Sequence, residues 1–237
     1  MNLLLLHPDE IAADGTAFIG GDRLAHLRSV QRFAAGDRIR AGELNGRIGH
    51  ADILAIDDAR AHLHVTLPEA PPPPLPCTLV MALPRPKMLK RILVDATTLG
   101  VKRICFVNAY RVEKSFWSSP LLAPEAIAEK CRLGLEQAID TVLPQVTLHE
   151  RFRPFVEDEL PGITGRSRAL VAHPAGAREC PRSINGALTL VIGPEGGFIP
   201  FEIELLHTAA GFEAVTLGPR ILRVDTAVPA LLGRLFG

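Results

Sequence analysis

Cys-x-x-Cys pairs are absent from this chain. Cys77, Cys105, Cys131 and Cys180 stand far apart, a spacing that suits neither a zinc site nor a small disulfide scaffold. Cys77 and Cys105 fall in apolar, strand-like runs, where a buried free thiol is the ordinary explanation. No apolar run reaches the roughly 18 residues of a membrane span. The stretch Met1 to Leu6 is apolar, but it has no basic leader and runs straight into His7-Pro8-Asp9-Glu10, so it does not read as a signal peptide. A soluble protein of the reducing cytoplasm, without a metal site, is the expectation. Three nucleotide and hydrolase signatures are also missing. There is no G-x-G-x-x-G of a Rossmann nicotinamide enzyme, no G-x-x-x-x-G-K-[ST] of a P-loop NTPase and no G-x-S-x-G nucleophile elbow.

Net charge is missing too, since 26 basic residues balance 26 acidic ones. Phosphate contacts depend on local patches rather than on totals, and along the chain the charges are segregated. From Arg23 to Arg40 five arginines (Arg23, Arg28, Arg32, Arg38, Arg40) face one acid, Asp37. From Arg85 to Arg103 six basic residues face Asp95 alone. Two solvated faces would carry the same pattern. What is plentiful is apolar residues, 47% of the chain against 22% charged, a balance that buries a core and excludes disorder.

Pro71-Pro72-Pro73-Pro74-Leu75-Pro76 reads as a stiff spacer between two domains, because consecutive prolines lack backbone donors. Before it, short stretches alternate apolar and polar residues: Asp37 to Gly42, Gly46 to Ile56 and His62 to Leu67. Asn45-Gly46 marks a hairpin turn, and Leu24 to Phe33 looks like a short helix. His62 and His64 share one strand face without a third ligand and read as surface residues. A small β-barrel over residues 1–70 is predicted.

After the spacer, buried strands alternate with helices. Strands are expected at Thr78 to Leu83, Arg103 to Val107, Ala169 to Ala172, Leu188 to Ile192 and Ala214 to Leu217. Helices are expected at Lys87 to Leu99, Pro124 to Ile139, Pro200 to Thr208 and Thr226 to Leu235, the last with Asp225 as N-cap. This is an α/β domain with a mainly parallel sheet, over residues 77–237. Ligands bind such sheets beyond the carboxyl ends of the strands. Three loops there are fixed by glycine or proline: Ala172-His173-Pro174-Ala175-Gly176, Gly193-Pro194-Glu195-Gly196-Gly197 and Leu217-Gly218-Pro219-Arg220. Each alone is more often a tight turn than a ligand site; together they make a backbone-lined cradle suited to a flat heterocycle.

Ile192-Gly193-Pro194-Glu195-Gly196-Gly197-Phe198, followed by Leu217-Gly218-Pro219-Arg220-Ile221-Leu222-Arg223-Val224-Asp225-Thr226-Ala227, resembles the bacterial 16S ribosomal RNA uridine-N3 methyltransferases of the SPOUT class. His26-Leu27-Arg28-Ser29-Val30-Gln31-Arg32, Leu99-Gly100-Val101 and Glu136-Gln137 extend the likeness. The resemblance implies a PUA-like β-barrel, an α/β domain with a trefoil knot, a homodimer, S-adenosylmethionine as cofactor and ribosomal RNA as partner. It assigns the cofactor to Ala172, His173, Gly193, Glu195, Gly196, Gly197, Leu217, Gly218, Ile221, Leu222 and Arg223, with Leu217, Ile221 and Leu222 as apolar walls.

Arg223 is the residue expected to stabilise charge on the base, a salt bridge to Glu195 or Asp225 being its other use. Glu195 is expected to brace the glycine loop by accepting backbone hydrogen bonds. Arg23, Arg28 and Arg32 are expected to contact RNA phosphates. The chain departs from the family where Val94, Asp95 and Thr98 replace Gln, Lys and Glu, and where Ala138 and Asp140 follow Glu136-Gln137. Those departures bear on the target nucleotide and atom. A non-catalytic RNA-binding relative, or a relative acting at another atom, fits the same fold.

Overall fold

The computed structural model describes residues 2–29, 32–174 and 178–237. Val30 and Gln31 of the first motif, and Ala175 and Gly176 of the loop after Ala172, lie outside the described residues. Two compact units divide the chain: Met1–Pro73 with Leu135–Leu143, and Pro74–Gly134 with Pro144–Gly237.

The first unit contains β1 (Leu4–Leu6), β2 (Thr16–Ile19), helix α1 (Gly21–Ser29), β3 (Arg38–Glu43), β4 (Ile48–Ile56) and β5 (Ala61–Glu69). They form a mixed five-stranded sheet in the order β1-β3-β4-β5-β2, with β1 parallel to β3 and the other pairs antiparallel. Asn45, at φ +60°, makes the left-handed turn between β3 and β4. α1 ends four residues before Phe33, earlier than its apolar spacing suggests. Arg32 takes a left-handed φ of +58° and the Phe33 N–H returns to the Leu27 carbonyl at 3.0 Å, so the chain folds back instead of continuing the helix.

The apolar run at the start of the chain has a packing cause. Side chains alternate across a strand, so Leu4 and Leu6 enter a core with Leu24, Leu27, Ile53 and Leu63. Leu3 and Leu5 turn the other way, onto Ile48 and Leu135. The segment Leu135–Leu143 covers that second face and is fastened to the β3–β4 turn. The Asn45 N–H donates to the Thr141 carbonyl at 2.8 Å, and Thr141 Oγ1 donates to the Gly46 carbonyl at 2.6 Å. Residues 135–143 thus pack with the first unit, outside the continuous 1–70 span that sequence patterning suggests.

The second unit runs β6 (Leu75–Ala82), α2 (Pro86–Thr98), β7 (Val101–Val107), α3 (Pro124–Ala138, crossing into the first unit at Leu135) and β8 (Gln145–His149). Then come α4 (Phe152–Pro154), a π-helical turn at Phe155–Glu159, α5 (Leu160–Thr164), β9 (Arg168–Ala172), β10 (Arg178–Glu179), β11 (Leu188–Ile192), α6 (Pro200–Ala210), β12 (Glu213–Thr216) and α7 (Val224–Phe236). The seven strands lie in the order β10-β12-β9-β11-β6-β7-β8, and every pair is parallel. β11 is buried along its whole length, as a strand covered on both faces requires.

Two boundaries differ from expectation. Pro76 stands inside β6, although the proline run was expected to exclude a strand. Against β7 the register slips between Leu75 and Thr78, and against β11 pairing begins at Cys77, so the missing N–H of Pro76 falls at an irregularity. α7 begins at Val224 with Arg223 at the N-cap position, not at Thr226 with Asp225 as cap. Asp225 sits in the first helical turn, where a carboxylate meets the positive end of the helix dipole.

Candidate functional site

The sheet order brings the three predicted loops together. β12, β9 and β11 are adjacent and parallel, with Ala172 level with both Ile192 and Val215, so all three chains leave the same edge side by side. The His173 N–H carries the ladder one step further, donating to the Val215 carbonyl at 2.9 Å. Beyond that edge opens a cleft of about 220 Å³. Its wall takes Ala172 and His173 from the first loop. Gly193, Glu195, Gly196 and Gly197 come from the second, and Leu217, Ile221 and Leu222 from the third.

Two of the expected residues stand outside that wall. Gly218 shapes the third loop instead: it adopts φ +125°, closed to most side chains, and its N–H donates to Thr216 Oγ1 at 3.2 Å. Arg223 occupies the N-cap position of α7, exposed. Neither of its alternative partners is paired with it. Asp225 Oδ2 binds Arg91 Nη1 at 3.2 Å. Glu195 Oε1 accepts the Arg85 N–H at 3.1 Å. Glu195 therefore braces the start of α2 rather than its own glycine loop, because the negative carboxylate meets free N–H groups at a helix N-terminus.

The glycines serve two different needs. A Cβ on Gly193 would sit 3.0 Å from the Phe198 ring, and one on Gly196 would sit 3.0 Å from Arg111 Cδ. Those two make room for protein neighbours. Gly197 adopts φ +74° and a Cβ there would meet nothing within 4 Å, so it presents bare backbone to open space. Its own N–H closes the turn onto the Pro194 carbonyl at 2.7 Å.

Apolar groups line the other side of the cleft. Val224, Ala227 and Leu231 recur at i, i+3 and i+7 along α7 and all reach the wall. That periodicity was available in the sequence and would have found them. Arg111 had no comparable signal, because its contact with Gly196 spans 85 residues of chain. Burial pushes the His173 imidazole below its ordinary pKa, which favours the neutral ring at neutral pH.

In the first unit the arginines meet acids from other parts of the chain. Arg23 binds both oxygens of Glu10 and the Leu5 carbonyl. Arg28 pairs with Asp58, Arg38 with Asp52 and Arg40 with Glu69. The one-signed stretch along the chain is thus largely neutralised in space. Arg32 is exposed. His62 stacks on Phe18 with ring centroids 4.6 Å apart. All four cysteines are free and buried. Among the described residues, no helix is long and apolar enough to cross a membrane.

A family model described as RNA methyltransferase domain matches residues 71–235. The chain belongs to that RNA methyltransferase family. The methyltransferase is 32% identical over 237 residues to ribosomal RNA small subunit methyltransferase E of Treponema pallidum, covering 97% of this chain and 88% of that protein. It is 28% identical over 249 residues to the protein of the same name from Mycobacterium bovis, covering 98% and 91%. The fold is shared with the crystal structure of ribosomal RNA small subunit methyltransferase E from Neisseria gonorrhoeae bound to S-adenosyl methionine. There the TM-score is 0.77 and the identity 24%, over 98% of this chain and 95% of that one. The methyltransferase also resembles a Legionella pneumophila protein solved with its cofactor, at TM-score 0.75 and 20% identity, over 98% and 95%.

Proposed function

We propose that the chain methylates N3 of a uridine in small-subunit 16S ribosomal RNA, with S-adenosylmethionine bound in the cleft beyond β9, β11 and β12. The observation that carries this reading is the convergence of three loops on one apolar-backed cleft, with Gly197 offering bare backbone to open space. A heterocycle such as adenine is well served there. N–H and C=O groups of the loops can recognise its edge, while Leu217, Leu222 and Val224 can cover its faces. The relatives' names support ribosomal RNA as substrate, and the Neisseria structure supports the cofactor.

When bound, the cofactor supplies a methyl group already activated by its sulfonium. The residues of the chain then have to orient the target base and accommodate charge on it. Uracil N3 is a poor nucleophile until it loses its proton, and negative charge builds on the ring as it does. A guanidinium stabilises such charge but cannot act as a base at neutral pH. Arg223, exposed at the N-cap position of α7 and free of Glu195 and Asp225, is assigned that role. Arg28 and Arg32 are assigned to phosphate contacts, since an exposed pair such as Arg28–Asp58 is weak enough to exchange partners. Arg23 was expected to join them, but its two bonds to Glu10 make a bracing role the better assignment.

The same reading treats the first unit as a PUA-like RNA-binding barrel and the second as a SPOUT methyltransferase domain with a trefoil knot. It also includes a homodimer and a cytoplasmic location. The deciding experiment is incubation of the purified protein with small-subunit ribosomal RNA and methyl-labelled cofactor, followed by nucleoside digestion and mass spectrometry. Label in 3-methyluridine is the expected product; label in a ribose-methylated or other base-methylated nucleoside would move the reading to another atom.

A further inference from the structure

The loop after β7 holds the segment after β11 at two points. Arg111 donates from Nη1 to the Gly196 carbonyl. Its stem also lies over Gly196, with Arg111 Cδ 3.0 Å and Arg111 Cβ 3.3 Å from where a Cβ on that glycine would be. One residue earlier, the Tyr110 N–H donates to Glu202 Oε1 at 2.7 Å. The other oxygen of that carboxylate, Oε2, accepts the Ile199 N–H at 2.9 Å. Glu202 is only 3% exposed, and a buried carboxylate is tolerated when both oxygens are engaged by donors. The turn Pro194–Gly197 is therefore fixed at Gly196 by Arg111 and just beyond its end by Glu202.

We infer that Arg111 is a positioning residue for the glycine turn of the cofactor cleft, with Glu202 as its buried counterpart. The inference rests on the cofactor assignment above. A glycine-rich turn has more conformational freedom to lose than any other, and a turn already held in its binding shape loses less on binding. Arg111 supplies that restraint from the loop after β7. Its action is on cofactor affinity, through Gly196 and Gly197.

Calorimetric titration of S-adenosylmethionine into the full-length protein separates the parts of this role. Arg111→Met keeps the apolar stem and removes the donor, whereas Arg111→Lys keeps both stem and donor. Affinity is expected to fall about tenfold in Arg111→Met, the order of one charge-assisted hydrogen bond, and to be largely restored in Arg111→Lys, with unchanged unfolding midpoints in both. Wild-type affinity in Arg111→Met, or equal losses in the two variants, would overturn the inference. Hydrogen exchange at the Gly197 amide, without cofactor, tests the restraint independently. Faster exchange in Arg111→Met than in wild type supports it, and equal exchange overturns it. If the wild-type protein itself fails to bind the cofactor, the cofactor assignment falls, and the exchange result still decides whether Arg111 restrains the turn.

Discussion

Arg91 and Asp225 tie α2 to α7, with Nη1 3.2 Å from Oδ2. The pair engages Oδ2 of the carboxylate two residues from Arg223, and the Arg85 N–H binds Oε1 of Glu195. The guanidinium of Arg223, paired with neither, stands exposed at the start of α7. Asp95, one helical turn from Arg91 on α2, is pushed above its ordinary pKa by burial first and by the neighbouring Asp225 second.

Arg223→Ala is expected to bind S-adenosylmethionine within about twofold of wild type while its methylation rate falls about a hundredfold or more, the usual loss when one charge-stabilising donor is removed. Single-turnover kinetics with saturating RNA, alongside calorimetry, measures the two separately. An unchanged rate would remove Arg223 from the chemistry.

Arg28 and Arg32 should contribute to RNA affinity in a salt-dependent way. Removing two phosphate contacts flattens the slope of log K against log salt by about 1.5. The Arg28→Ala/Arg32→Ala double variant, measured by filter binding at several salt concentrations, should show that change. Arg23→Ala should leave the slope nearly alone and lower the unfolding midpoint instead. A wild-type slope in the double variant would contradict the assignment.

The hydrogen bond from Arg23 holds the Glu10 carboxyl below its usual range, against an opposing effect of burial. A carboxyl with a depressed folded pKa contributes stability above its unfolded value, near 4.5. That contribution is lost as pH falls through the depressed folded value. Glu10→Gln should therefore be less stable than wild type at pH 7, and the difference should close on acidification. Urea unfolding at the two extremes tests this; a gap of equal size at both would refute it.

Burial raises all four thiols, Cys77 to about 12. The thiolate is the reactive form, so a disulfide reagent at pH 8 should leave the native protein almost untouched. In denaturant it should titrate all four cysteines. Fast reaction of the native protein would mean that a thiol is accessible.

Sequence patterning found the α/β unit because buried parallel strands are short apolar runs, and Leu188 to Ile192 is such a run at its observed bounds. It found the three loops because glycine and proline mark strand ends, but it could not place them side by side. Their adjacency comes from β12 pairing with β9, across more than 40 residues of chain. β2 and β8 escaped notice: β2 is four residues long and β8 is only partly buried, so neither carries a clear period. The cover that Leu135–Leu143 gives β1 left no local mark, since it depends on Leu135 meeting Leu3 and Leu5. The acids that pair with the arginine cluster left no local mark either. Glu10, Asp58, Asp52 and Glu69 lie near those arginines only after the sheet forms.

Mass mapping of small-subunit RNA from cells that make this protein, and from otherwise identical cells that lack it, tests most directly whether the chain methylates N3 of a ribosomal uridine. The account predicts one 3-methyluridine present in the first and absent in the second, restored by the wild-type chain and not by Arg223→Ala. An identical set of methylated nucleosides in both cells would contradict it.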